Sequence, residues 1–380
     1  MTKPIYLDYA AATPIDPLVL KAMQPYFAED FYNPSATYLA AEKVRKDLET
    51  ARSRVANWLG AKPSEVVFTA GGTEANNLAI RGVTEQYPDG NLVVSAIEHE
   101  SVLEPAHEYS CQEAPVTDDG VIDVDKLVKL VNDKTVLVSV MYANNEVGTI
   151  QPIRRLAKQL DEIREARRVR GNDLPLYLHT DAAQAASYLD LHAARLGVDL
   201  LTINAGKIYG PKQVGALFVS SKLKLKPQIA GGGQERNLRS GTENVAGAIG
   251  LGKALDLVQQ LRHEEVARLG KLQHLFFALV LEKFPDAVIN GSRKNRLPNN
   301  VHVSFPQQDN ERLIFQLDAA GILCAAGSAC SASSDEPSHV LKAMGRTDEE
   351  AQTSLRFTMG RQTTENDVRY TVDVLSTNVV

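Results

Sequence analysis

The chain has 380 residues, 44% hydrophobic and 23% charged, enough for two or three domains that each bury a core. Its formal net charge of −6 argues against a dedicated nucleic-acid surface, and no apolar run approaches the roughly 18 residues that span a bilayer, so neither nucleic acid nor membrane is an expected partner. The three cysteines, Cys111, Cys324 and Cys330, are odd in number and show no CxxC spacing, which speaks against a disulfide framework or a structural zinc site and makes a reducing cytoplasm the expected compartment.

The first residues, MTKPIYLDYAAATP, contain neither an apolar h-region nor a cleavage site, so no signal peptide is expected. From about residue 60 to 220, short β-rich runs alternate with helical patterns. EVVFTAG (65–71), NLVVSAI (91–97), TVLVSVMY (135–142), LYLHTD (176–181), DLLTIN (199–204) and GALFVS (215–220) read as strands. Several are apolar at consecutive positions, as in strands covered on both faces. Helix-like segments such as IRRLAKQLDEIREARR (153–168) lie between them. This alternation implies an α/β fold with a largely parallel sheet, whose ligands bind beyond the carboxyl ends of the strands. After about residue 243 the pattern becomes α+β. A helical stretch with breaks runs to 284, followed by a strand (299–305), a helix (311–321), a strand (354–360) and a terminal helix. The expected division is a large domain over 13–250 and a smaller one formed by 1–12 with 251–380.

Five polar clusters fall at predicted strand ends. GGTEANN (71–77) places Gly71 and Gly72 before Thr73 at the start of a helix, which suits either an anion-binding N-terminus or an ordinary cap. EHESV carries His99, which alone reads equally well as a structural histidine. ANNEVGT places Asn144, Asn145 and Glu146 where amides bond a ligand or make a turn. HTDAAQ sets Asp181 at the mouth of a buried strand, with Gln184 three residues on. AGKIYGPKQVG places Lys207 among small residues; taken singly it reads as a surface lysine.

The combination narrows the chemistry. An acid followed by a lysine on the next strand, with a glycine-threonine anion site upstream, fits pyridoxal 5'-phosphate. The lysine amine forms a Schiff base with the cofactor aldehyde, the carboxylate keeps the pyridine nitrogen protonated, and a helix N-terminus holds the phosphate. Neither GxxxxGK[ST] nor GxGxxG occurs, so P-loop and dinucleotide readings are weaker.

At this level of detail the sequence resembles the cysteine desulfurases, group I (NifS- and IscS-like), within the class-V aminotransferase family of fold-type-I PLP enzymes. The resemblance runs through YLDYAAATPIDP (6–17), YNPSA (32–36), VFTAGGTEANNLAI, IEHESVL, ANNEVGTIQPI, HTDAAQ, GKIYGPKQVGAL, GGGQERNLRSGTENV (231–245), GSACSASSDEPSHVLKAMG (327–345) and SLRFTMGRQTTENDV (354–368). Any one match is weak; ten in order are specific. The resemblance implies a mainly parallel seven-stranded-type sheet in the large domain and a smaller α+β domain. By the same resemblance Lys207 would carry the cofactor, Asp181 would pair with the pyridine nitrogen, Gln184 would bond the ring oxygen and His99 would stack on the ring. Gly72 and Thr73 would bind the phosphate, with Asn204 and Gly206 contributing, and Thr242 would reach the phosphate of a partner subunit, which implies a homodimer. Arg356 and Asn145 would hold the substrate carboxylate, with Asn33 assisting.

Cys330 lies in AGSACSAS (326–333), with Gly327, Ser328, Ala329, Ser331 and Ala332 around it and nothing bulky to pack against, so it reads as a loop thiol. It matches the family's nucleophile, which would take sulfur from L-cysteine as a persulfide, leave L-alanine, and pass the sulfur to an acceptor protein for iron–sulfur assembly or for transfer-RNA or cofactor thiolation. No residue is a firm metal ligand; Cys330 is the one candidate for transient iron–sulfur contact. Cys324, in GILCAAG, reads as a packed small hydrophobe, and Cys111 as incidental at the end of a helix-like segment. The run before the lysine departs from the family's usual SGHK, being Asn204, Ala205, Gly206, Lys207. The chain stops short of the tail that scaffold-feeding members carry, and its Cys330 loop has the group-I length. Competing readings are a selenocysteine lyase or another class-V aminotransferase, and a non-catalytic sulfur or iron–sulfur carrier on the same fold.

Overall fold

The computed structural model describes residues 4–327 and 337–378; Cys330, with the rest of 328–336, lies outside the described residues. Twelve strands are described, in chain order β1 (Ile5–Tyr6), β2 (Val66–Thr69), β3 (Asn91–Ser95), β4 (Cys111–Ala114), β5 (Thr135–Ser139), β6 (Tyr177–Asp181), β7 (Leu200–Asn204), β8 (Gly215–Val219), β9 (Val288–Ile289), β10 (Asn300–Ser304), β11 (Ile322–Leu323) and β12 (Ser354–Thr358).

Seven of these form the central sheet, in the order β2-β8-β7-β6-β5-β3-β4. All pairings in it are parallel except the two made by β8, which runs antiparallel to β2 and β7. The cause is the connection. The ten residues 205–214 between β7 and β8 contain one short turn of 3₁₀ helix, too little for the crossover that a parallel return demands. Alternate side chains enter opposite cores: Val66 and Phe68 of β2, and Ala216 and Phe218 of β8, face one layer, while Val67, Leu217 and Val219 face the other. One layer is closed by the helices Leu39–Leu59, Ile153–Val169 and the start of Val245–Lys283, the other by Gly72–Thr84 and Glu100–His107.

A second core gathers on the antiparallel sheet β12-β10-β9. The helices Asn310–Ala319 and Glu365–Asn378 and the far half of Val245–Lys283 supply it, and Leu7 inserts from the N-terminal segment. β1 pairs in parallel with β11, Ile5 opposite Ile322, so the first residues belong to this side of the molecule.

Two local expectations are corrected. The stretch expected to break between 243 and 284 is one continuous 39-residue helix, about 58 Å long, whose two halves serve the two cores. Its glycines are packing features: a Cβ on Gly250 would lie 2.7 Å from Met23 Sδ, and one on Gly252 would lie 3.2 Å from the Ala51 carbonyl oxygen. Cys111 does not end a helix. It opens β4, a polar edge strand paired with β3, and its thiol is pushed up to about 11 by burial and by Glu113. Cys324 packs against the second core as expected, with its thiol pushed up to about 12, mainly by burial.

Candidate active site

The carboxyl ends of β2, β3, β5, β6 and β7 lie along one edge of the central sheet, and each delivers one of the predicted polar clusters. β2 runs into Gly71, whose φ of +132° only glycine adopts freely and around which a Cβ would meet nothing within 4 Å. Gly72 opens the 13-residue helix Gly72–Thr84, leaving first-turn N–H groups open beside exposed Thr73. Against this N-terminus stands the end of β7. A Cβ on Gly72 would lie 3.3 Å from Asn204 Nδ2, and Asn204 Oδ1 accepts from the Gly206 N–H at 3.1 Å. The structure thus brings Gly72, Asn204 and Gly206 together. The asparagine that replaces the family's serine presents an amide to the same helix end.

Asp181 ends β6 and is 7% exposed. Its Oδ1 accepts from the Ala183 N–H at 2.8 Å and its Oδ2 from Asn76 Nδ2 at 2.7 Å. The same Asn76 nitrogen donates to Ser101 Oγ at 2.9 Å, and Ser101 Oγ lies 2.8 Å from His99 Nδ1. His99 caps the helix Glu100–His107, its Nδ1 accepting from the Ser101 N–H at 3.0 Å. Beneath Asp181, buried His179 bridges Ser139 Oγ at 2.8 Å and Thr202 Oγ1 at 3.1 Å, linking β5, β6 and β7; burial pulls its imidazole down to about 4 despite the Asp181 charge. Glu98, next to His99, is fully buried, and its carboxyl is held well above the usual range by desolvation and by Asp181, against the Met141 N–H it accepts at 2.5 Å.

Lys207 Nζ donates to the carbonyls of Ala10 at 2.8 Å and Ala11 at 2.7 Å, and Gln184 Nε2 donates to the same Ala10 carbonyl at 3.0 Å. Thr13 adds a pair of bonds to the Gly206 carbonyl, so the N-terminal segment lies across the lysine turn. From the smaller sheet, Arg356 of β12 is 2% exposed; its Nη2 meets Asp8 Oδ1 at 2.8 Å and its Nη1 donates to the Asn145 carbonyl at 3.2 Å.

The family model for class-V aminotransferases matches residues 5–371. The chain belongs to the class-V aminotransferase family. Cysteine desulfurase IscS of Dictyoglomus turgidum is 44% identical to it, over 99% of this chain and 94% of that one. Among solved structures, a NifS-like protein superposes with a TM-score of 0.89 at 31% identity, covering 98% of both chains. SspA, solved in complex with cysteine, superposes at 0.81 with 33% identity, over 93% of this chain and 98% of that one.

Two predicted residues of this class-V chain stand apart from the cluster. Asn33 Oδ1 caps the Ser35 N–H in an exposed local turn. Thr242 lines a cleft of about 190 Å³ with Thr69, Ala70 and Arg239, just before Gly71. Sequence reasoning passed over Asp8, Asn76, Ser101 and Glu98. Asn76 left a signal: it breaks the buried stripe of its helix, sitting three and four residues before Ala79 and Ile80. Glu146 Oε2 accepts from Ser338 Oγ at 2.5 Å, and the His339 ring bonds the Glu98 carbonyl at 2.9 Å, so residues adjoining Asn145 and His99 anchor the start of the helix His339–Ala343.

Proposed function

We propose that this chain is a pyridoxal 5'-phosphate-dependent cysteine desulfurase that converts L-cysteine to L-alanine and loads the sulfur onto Cys330. The observation that carries the reading is the delivery, by neighbouring strand ends, of an open helix N-terminus, an imidazole, a buried carboxylate and a lysine amine to one edge of the sheet. The residues fit the cofactor. The space at Gly71 and the Asn204 amide suit a phosphate, Asp181 suits a protonated ring nitrogen, and buried Asn76 Oδ1 has no partner among the described residues. Gly72, Thr73, Asn204 and Gly206 would hold the phosphate, Gln184 the ring oxygen and Lys207 the aldehyde carbon, with His99 against the ring. Thr242 would reach the phosphate bound by a partner subunit in a homodimer.

Bound there, the cofactor supplies an electron sink for the pair released at the substrate Cα. Arg356 and Asn145 orient the substrate carboxylate; a planar guanidinium suits that anion. Lys207 takes and returns a proton at Cα, and His99 serves proton transfer nearby. The Cys330 thiolate attacks the substrate sulfur: an S–S bond forms, the C–S bond breaks, and the carbon keeps the electron pair and gains a proton, giving alanine and a persulfide. An acceptor protein of iron–sulfur assembly or thiolation then removes the outer sulfur, in the cytoplasm.

The test is purification, a visible absorbance spectrum and an alanine assay with L-cysteine, with Cys330→Ala alongside. The cofactor's yellow colour and alanine formation are expected from the wild type, and colour without persulfide from the variant. A colourless wild type that yields no alanine ends the enzyme reading; full turnover by the variant ends the role of Cys330.

A further inference from the structure

Asp181, Asn76, Ser101 and His99 come from three separate elements, yet they form one unbroken line of hydrogen bonds. We propose that Asn76 is a positioning residue that couples Asp181 to His99, fixing the plane of the carboxylate and the tautomer of the imidazole together. This rests on the cofactor-binding roles given above to those two residues.

The polarity of the line follows from its ends. An ionised carboxylate only accepts, so the side of Asn76 that meets Asp181 Oδ2 must be its NH₂. With Ala183 bonded to Oδ1, the carboxylate is held from both oxygens. The second Asn76 N–H is spent on Ser101 Oγ, which turns the hydroxyl proton toward His99 Nδ1. That nitrogen also faces the Ser101 backbone N–H at 3.0 Å. Two donors on Nδ1 place the proton of the neutral ring on Nε2. Reversing any one member would set donor against donor or acceptor against acceptor.

Stability does not explain an amide at this position. Asn76 is 1% exposed, on a helix face that otherwise packs through Ala75, Leu78, Ala79 and Ile80, and its Oδ1 is without a partner among the described residues. A buried acceptor left unbonded is unfavourable, because it has given up water without gaining a donor. The helices Gly72–Thr84 and Glu100–His107 already meet through Leu78, Val102 and Ala106 in a common apolar cluster, so no polar tie is needed to join them. What the amide adds is direction.

The experiment uses the full chain with ¹⁵N-labelled histidine, free of cofactor and then loaded with pyridoxal phosphate, as wild type, Asn76→Leu and Ser101→Ala. In the cofactor-free wild type the His99 resonances are expected to report Nε2–H, and both variants should weaken that preference without abolishing it, since the Ser101 backbone N–H still donates to Nδ1. In the loaded protein Asn76→Leu should shift the visible band, release cofactor about tenfold faster, and lower kcat about tenfold to a hundredfold with KM within about twofold, the size expected for hydrogen bonds to a charged group. Ser101→Ala, which leaves the Asn76–Asp181 bond in place, should keep the cofactor release rate of the wild type. Unchanged tautomer and spectrum in Asn76→Leu, with only a lower melting temperature, overturns the proposal. If Asn76→Leu does not fold, an unchanged tautomer in Ser101→Ala overturns it instead. A wild type that takes up no cofactor defeats the assigned function, and the tautomer measured in the free chain still decides the line itself.

Discussion

Arg356 and Asp8 meet at 2.8 Å across 348 positions of the chain, and the guanidinium is 2% exposed in the pair. The arginine assigned to the substrate carboxylate is therefore already charge-paired and oriented before substrate arrives. Arg356 is buried while the Asp8 side chain is 19% exposed, so removing Asp8 strands a buried guanidinium, at about 3 kcal/mol or more, and removing Arg356 leaves a carboxylate that water can reach. Asp8→Asn and Arg356→Gln should each lower the urea midpoint, and the double variant should lose less than the sum, because the two changes remove a single interaction. Arg356→Gln should also raise KM for L-cysteine about tenfold or more, as expected for loss of a charge-assisted contact. Additive destabilisation, or an unchanged KM, contradicts the assignment.

Lys207 holds the N-terminal segment through the Ala10 and Ala11 carbonyls. Lys207→Ala should abolish alanine formation and the lysine-dependent visible band. It should also loosen residues 8–13, raising amide exchange there and lowering stability by about 1–3 kcal/mol. Thr13, still bonded to Gly206, limits the damage. Wild-type alanine production by this variant would remove Lys207 from the chemistry.

The central strands were legible because β2, β3, β5, β7 and β8 each carry apolar residues at consecutive positions, the mark of cover on both faces. β4 was not: CQEA is a polar edge strand with two of its four residues exposed. The antiparallel β8 followed from connection length rather than composition. The unbroken helix Val245–Lys283 was hidden because glycine reads locally as a breaker, while here Gly252 lets the backbone of Ala51 approach and Gly250 makes room for the Met23 sulfur, both from distant parts of the chain. In the site, Lys207, Asp181 and His99 could be named from types at strand ends. Asp8 and Ser101 could not, since their roles depend on which distant side chain the fold sets beside them.

His302 and His179 are both buried in their neutral forms. Burial, with Arg296 and Arg356 nearby, pulls His302 down to about 3, and burial pulls His179 down to about 4. Unfolded, each takes a proton near pH 6.5. The folded state therefore binds fewer protons below that value, and stability should fall as pH drops from about 6.5 toward 3. Each group contributes a slope of about 1.4 kcal/mol per pH unit across its window. His302→Gln should flatten the dependence of the urea midpoint on pH by roughly one such increment. An identical slope in the variant would mean that His302 is charged in the folded protein.

Glu98 gives the opposite sign. It is fully buried, its folded carboxyl sits well above the usual range through desolvation and then Asp181, and its Oε2 is without a partner among the described residues. In the unfolded chain it ionises near pH 4.3. Above that pH the unfolded state gives up a proton that the folded state keeps, so the group opposes folding increasingly as pH rises. Glu98→Gln imitates the protonated form and can still accept the Met141 N–H bond. Near pH 4 the two proteins should be about equally stable. Toward neutrality the variant should become the more stable, by an amount growing at up to about 1.4 kcal/mol per pH unit until the folded carboxyl itself ionises. Urea titrations of both proteins at several pH values from 4 to 8 measure the difference directly. A gap that stays constant with pH would show that Glu98 is ionised in the folded state, and the neutral acid beside Asp181 would have to be abandoned.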